Sequence, residues 1–137
     1  MSKKILLLPV VAAIAIIAVV LMAKPGIDGD AAELQDLSGL ENTVSITMSS
    51  SRPGCDANDN CFVPSTSTIR SGQSVTWINH DSGFHTVTSG YYDTPDGGFD
   101  SGQLDPDQKF SHTFDDKGSF HYYCRLHPWM QGQVNVN

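Results

Sequence analysis

The stretch from Thr43 to Asn137 predicts an all-β domain, a sandwich or small barrel built from short strands. Three observations carry that reading. Apolar and polar residues alternate over short segments, turn-forming residues separate those segments, and no segment sustains a helical period.

Taken in order, the first strand is expected at Val44, Ile46 and Met48, which alternation places on one face. "SGQS" then turns the chain into a strand through Val75 and Trp77, continuing to Ile78 and Asn79. "DSG" precedes a strand opening at His85 and Val87. "TPDGG" is read as part of a long loop after Tyr92. Phe110, His112 and Phe114 share the next strand face, and "DDKG" links it in the manner of a hairpin to Phe120, Tyr122 and Cys124. Val134 and Val136 mark the last strand.

Ahead of this domain, Ile5 to Ala23 form an uncharged apolar run that, as a helix, is long enough for a bilayer core of about 30 Å. Lys3 and Lys4 precede the run and acidic residues follow it, which predicts an inside N-terminus and an exported remainder. The run exceeds the roughly 7 to 15 apolar residues of a usual signal peptide, so an uncleaved anchor is preferred over a cleaved signal. No cysteine directly follows it for lipid attachment. The Gly, Asp and Ala content of residues 24–42 suits a flexible linker. The expected division is therefore 1–23 membrane anchor or signal segment, 24–42 linker and 43–137 folded domain, periplasmic or extracellular, and secreted if the first segment is removed.

Beyond Lys4, six basic residues stand against fifteen acidic ones, a net charge of −9. That balance argues against nucleic acid or anionic lipid as a partner of the domain and favours solubility or attraction of a basic partner.

The cysteines divide into two kinds. Cys55 and Cys61 bracket the turn-rich "DANDN", which can bring their Cα atoms within the roughly 4.4 to 6.8 Å a disulfide needs. A disulfide is the leading reading in an exported domain, worth about 2 kcal/mol for so small a loop, against a free thiol pair or an accessory metal site. Cys124 is left over. Strand alternation puts it on the same core-directed face as Phe120 and Tyr122, a poor place for cross-linking.

His127 follows Cys124 by three residues and Met130 follows His127 by three more, in "YYCRLHPWMQGQ". Pro128 reads as part of a loop that leaves the strand and turns back toward Val134. Such a loop can offer thiolate, imidazole and thioether to one point, a donor set for a soft ion. A second imidazole is sought among the other histidines. His121 faces away from Cys124, and His112 lies between Phe110 and Phe114, so both read as structural. His85, at a strand start, is preferred over His80 in the preceding turn. Two imidazoles, one thiolate and a weak thioether suit copper in one-electron transfer. With every position filled and no carboxylate base nearby, they suit a zinc hydrolase poorly.

On "VTWINHDSGFHTV" and "GSFHYYCRLHPWMQGQVNV", the sequence resembles the blue copper proteins, or cupredoxins, of the plastocyanin and amicyanin group over roughly Val44 to Val136. The resemblance implies a cupredoxin-like Greek-key β-sandwich following the N-terminal transmembrane or signal helix. It also implies one type 1 copper ion with His85, Cys124, His127 and Met130 as ligands. Thr86 stands where amicyanin-like proteins commonly have Asn, a residue that helps tie the two ligand loops. Leu126, Pro128, Trp129 and Phe84 would form the apolar patch through which such proteins meet redox partners in small, transient contacts near His127 and Trp129. The expected protein is a monomeric, membrane-tethered electron carrier and not an enzyme. The alternatives are a copper module for delivery or storage, which needs exchangeable ligands, and an oxidase or reductase domain, which needs a second histidine set.

Overall fold

A computed structural model of the chain describes residues 42–137. The expected anchor at 1–23 and the linker up to residue 41 lie outside the described residues. Among the described residues no helix is long and apolar enough to cross a membrane.

The strands in chain order are β1 (Thr43–Ile46), β2 (Phe62–Val63), β3 (Thr66–Ile69), β4 (Gln73–Asn79) and β5 (Thr88–Tyr91), followed by β6 (Thr94–Asp100), β7 (Lys109–Phe114), β8 (Gly118–Cys124) and β9 (His127–Val136). They form two sheets, ordered β2-β1-β4-β7 and β3-β9-β8-β5-β6. Pairing is antiparallel except between β1 and β4 and between β3 and β9. The all-β sandwich expected from the alternation is the architecture found.

Alternation decides what fills the space between the sheets. On β4, Val75, Trp77 and Asn79 are buried while the intervening residues are half-exposed, and Val44 and Ile46 do the same beside them on β1. Trp77 is the centre of this layer. Phe110 stacks on it at 5.8 Å from its own sheet, and Phe99 and Tyr122 reach it from the opposite sheet at 5.8 and 5.2 Å. Each fully buried large apolar side chain contributes about 1.5 to 3 kcal/mol, so this cluster dominates the fold's cohesion. On the outer face of the first sheet, Ser74 meets Thr113 and Thr76 meets Ser111 through hydroxyl pairs.

Several expectations are corrected. β1 ends at Ile46, leaving Met48 exposed. The segment at His85–Val87 is no regular strand; His85 makes an isolated bridge to Leu104, and the strand proper begins at Thr88. The expected long loop after Tyr92 is strand β6, joined to β5 by a turn in which Asp93 takes a positive φ of 63°, a conformation Asp tolerates. The "DDKG" link is no hairpin: β7 pairs with β4 in one sheet and β8 with β5 and β9 in the other, so the chain crosses between sheets there. β2 and β3 carry too few apolar residues to be read from the pattern, since β3 buries a serine, Ser67, together with Ile69.

Cys55 and Cys61 form a disulfide with Cα atoms 4.9 Å apart, closed over a 3-10 turn at Asp56–Asn58. It completes a loop that rises from β1 at the end of the sandwich where β4 finishes.

One packing contact has a direct consequence. Gly132 on β9 lies under the Tyr122 ring, and a Cβ there would meet Tyr122 Cε2 at 2.7 Å. The ring has nowhere to go, being held edge-on against Phe62 at 4.9 Å and against Trp77. Gly132→Ala should therefore destabilise the protein by about 1 to 3 kcal/mol, the usual cost of overpacking, measured as a lower urea midpoint with an unchanged m-value.

Candidate metal centre

The site begins with a turn. After β4 the chain reads "NHDSGFH", and the buried Asn79 side chain closes that stretch. Its Nδ2 donates to Gly83 O at 2.8 Å and to Leu104 O at 3.1 Å, and its Oδ1 accepts from the Asp81 amide at 2.9 Å. Two backbone bonds between His85 and Leu104 then fix the histidine, which is fully buried.

The second half of the site comes from the β8–β9 hairpin. Cys124 ends β8, Arg125 and Leu126 turn the chain, and His127 opens β9 directly opposite Cys124. The expected irregular loop is thus a tight turn, with Pro128, Trp129 and Met130 already on the strand. Pro128 is tolerated because it lies at the start of β9. A register shift between Tyr123 and Cys124 accompanies the turn and leaves the sulfur buried.

The donor atoms converge. Cys124 Sγ lies 3.5 Å from His127 Nδ1 and 3.8 Å from His85 Nδ1, and the two nitrogens are 3.2 Å apart. All three donors lie within 4.8 Å of one another, close enough to hold one metal ion. Met130, in the same cluster of core residues as Cys124, is fully buried. His80 is exposed and outside this group. His121 stacks on Tyr91 at 4.6 Å and His112 packs at a tilt against Phe99 at 4.7 Å, both as packing residues.

Thr86 connects the two halves. Its amide donates to Cys124 Sγ at 3.3 Å, and its hydroxyl accepts from the Arg125 amide at 2.9 Å. The hydroxyl does what the Asn of amicyanin-like proteins is expected to do at this position.

The electrostatics keep the two imidazoles neutral. Burial pushes the His85 imidazole down, against an opposing pull from Asp81. Burial lowers His127 as well, helped by repulsion from His85. Neutral imidazoles present lone pairs. Burial alone would push Asp81 up, but hydrogen bonds from the Ser51 amide, the His85 ring and the Ser49 amide outweigh it, holding the carboxyl far below the usual carboxylate range. Two imidazole nitrogens and a cysteine sulfur are a donor set that fits copper.

The sequence profile of the copper-binding proteins of the plastocyanin/azurin family matches residues 50–137. The chain belongs to this family. Its cofactor is copper. Among relatives, amicyanin from Paracoccus versutus is 33% identical over 69 residues, 50% of this chain and 52% of that protein. This chain therefore spans about half the length of that amicyanin. Plastocyanin from Scenedesmus fuscus is 29% identical over 91 residues, 61% of this chain and 93% of the plastocyanin. A purple cupredoxin from Nitrosopumilus maritimus superposes with a TM-score of 0.63 at 29% identity, over 69% of this chain and 98% of that one. A copper-containing nitrite reductase from Thermus scotoductus shares the fold over 22% of its length, at 23% identity and a TM-score of 0.53.

Two contributors are absent from the motif reading: Asp81, whose Oδ2 lies 3.0 Å from His85 Nε2, and Ser50, whose carbonyl accepts from Trp129 Nε1 at 3.0 Å. The signal for Asp81 was a carboxylate four residues before a histidine in a turn. Ser50 left none.

The Thr86 bridge is testable apart from any metal. Thr86→Val keeps the shape but removes the acceptor of the Arg125 amide, which should cost the metal-free protein about 1 kcal/mol in urea unfolding.

Proposed function

We propose that this cupredoxin carries single electrons between redox partners, with a type 1 copper ion held by His85, Cys124, His127 and Met130. The observation that carries the reading is the convergence of two imidazole nitrogens and one buried cysteine sulfur, positioned by strands and hydrogen bonds. Bound there, copper supplies a one-electron couple between Cu(II) and Cu(I). The chain's own part is to present soft and borderline donors together and to restrain their movement. Restraint makes the site favour neither oxidation state by rearrangement, which suits fast transfer. It also disfavours the delivery reading, since buried donors exchange poorly.

The route to partners runs past His127. That residue is half-buried at the end of the sandwich, with Phe84 and Leu126 exposed at 53% and 52% of their surface. Pro128 is exposed beside them. Trp129 packs against His127 at 5.3 Å and is half-buried, which makes it a support of the patch. A few exposed apolar side chains on an acidic protein suit contacts that form and release quickly. The apolar run at 5–23 and the positive residues before it support a tether, with residues 24–42 as spacer and the copper domain, residues 43–137, outside the cytoplasm as a monomer.

The copper-loaded protein should show intense visible absorption from the copper–thiolate bond, and Cys124→Ser should abolish it. Retention of that band without the thiol would sink the ligand set. The Nitrosopumilus relative is described as purple, so intensity and not wavelength is the criterion. Met130→Leu should keep the absorption and raise the reduction potential through loss of a weak donor to the oxidised ion; an equilibrium redox titration that finds no rise would exclude Met130 from the axial role.

A further inference from the structure

Asp81 is a charged side chain buried to 2% exposure beside the centre, and no ligand role uses it. Its Oδ2 meets His85 Nε2 at 3.0 Å, on the opposite side of the ring from the nitrogen that faces Cys124 and His127. The carboxylate is itself gripped. Oδ1 accepts from the Ser49 and Ser82 amides at 2.8 Å each, and Oδ2 accepts from the Ser51 amide at 2.9 Å and lies 3.5 Å from Ser50 Oγ. With the carboxylate acting only as acceptor, Nε2 must carry the imidazole proton, which leaves the Nδ1 lone pair for the metal.

Apart from the neighbouring Ser82 amide and the His85 ring, the groups that grip Asp81 belong to one loop. Ser49 and Ser51 lie between β1 and the disulfide, Ser49 with a positive φ of 67°. The loop is closed at its base by Thr47 N donating to Cys61 O at 3.2 Å. The same loop accepts the Trp129 indole N–H at Ser50 O. It therefore touches the chain just before His85 and just before Met130.

We propose that Asp81 is a positioning residue of the copper centre, clamped by the disulfide-closed loop, that fixes the His85 tautomer and holds the reduction potential down. The proposal rests on the copper reading above. A negative charge 3.0 Å from the ring of a metal-binding histidine favours the more positive ion, because little water intervenes to screen it. The loop sets how firmly that charge is held.

The test uses the full-length protein loaded with copper and titrated against a reference redox couple. Asp81→Asn should keep the intense visible band and shift the Cu(I):Cu(II) ratio at a fixed external potential toward Cu(I) by tenfold or more, about 59 mV for one electron. Cys55→Ser with Cys61→Ser should shift it the same way by a smaller factor. In the wild-type Cu(I) protein, long-range proton–nitrogen NMR should find the His85 proton on Nε2 and slow to exchange. That reading decides the matter even if Asp81→Asn does not fold: a fast-exchanging Nε2 proton, or one on Nδ1, overturns the proposal. An Asp81 that only shapes the turn would leave the ratio and the His85 nitrogen signals unmoved, which also overturns it. Lack of the visible band in the wild type would instead bring down the copper reading, and this proposal with it.

Discussion

Thr86 is hydrogen-bonded twice to the Cys124–Arg125 segment, once through its amide to the sulfur and once through its hydroxyl to a backbone amide. These bonds hold together two pieces of chain that lie 38 residues apart in sequence. On one side they continue into the β5–β8 ladder, where Thr88 pairs with Tyr123. On the other lies the turn closed by Asn79. If the two segments separated, His85 would leave with one and Cys124 and His127 with the other. The rest of the sandwich is a means of keeping this junction in register.

The junction also sets the charge state of the two imidazoles. Burial makes both imidazoles resist protonation, and repulsion from His85 lowers His127 further, so the histidines offer lone pairs. A buried carboxylate beside them would ordinarily be unfavourable. Asp81 is tolerated because two backbone amides from a stapled loop, Ser49 and Ser51, and the adjacent Ser82 amide replace the water it has lost. The loop appended to β1 is thus coupled to the chemistry through a single side chain.

The part of this that could be read from sequence follows from periodicity and from donor chemistry. β4 and β7 alternate clearly around large aromatics, so their faces were legible, whereas β8 buries Tyr122, Tyr123 and Cys124 in succession across a register shift; the Cys, His and Met spacing within one hairpin was legible because local residues share one turn. β2, β3 and β6 were not, for different reasons. Ser67 is buried without being apolar, Phe62 stands almost alone, and the Pro, Asp and Gly residues of β6 look like a loop although Ser89 and Asp96 lock them to β5 by a side-chain hydrogen bond. The site was harder where it depends on contacts distant in sequence. Nothing near His85 announces that Ser49 and Ser51 will grip Asp81, because a backbone amide carries no sequence signature.

The two histidines differ in one respect that shapes how the centre meets its surroundings. His85 is enclosed, with one nitrogen toward the sulfur and the other on Asp81, whereas His127 is half-buried between exposed Leu126 and Pro128. Among the donor residues, His127 is the one that keeps contact with solvent, while His85, Cys124 and Met130 are fully buried. Among the described residues, the half-buried His127 is therefore the donor through which the centre meets solvent, the wall by which an ion would enter.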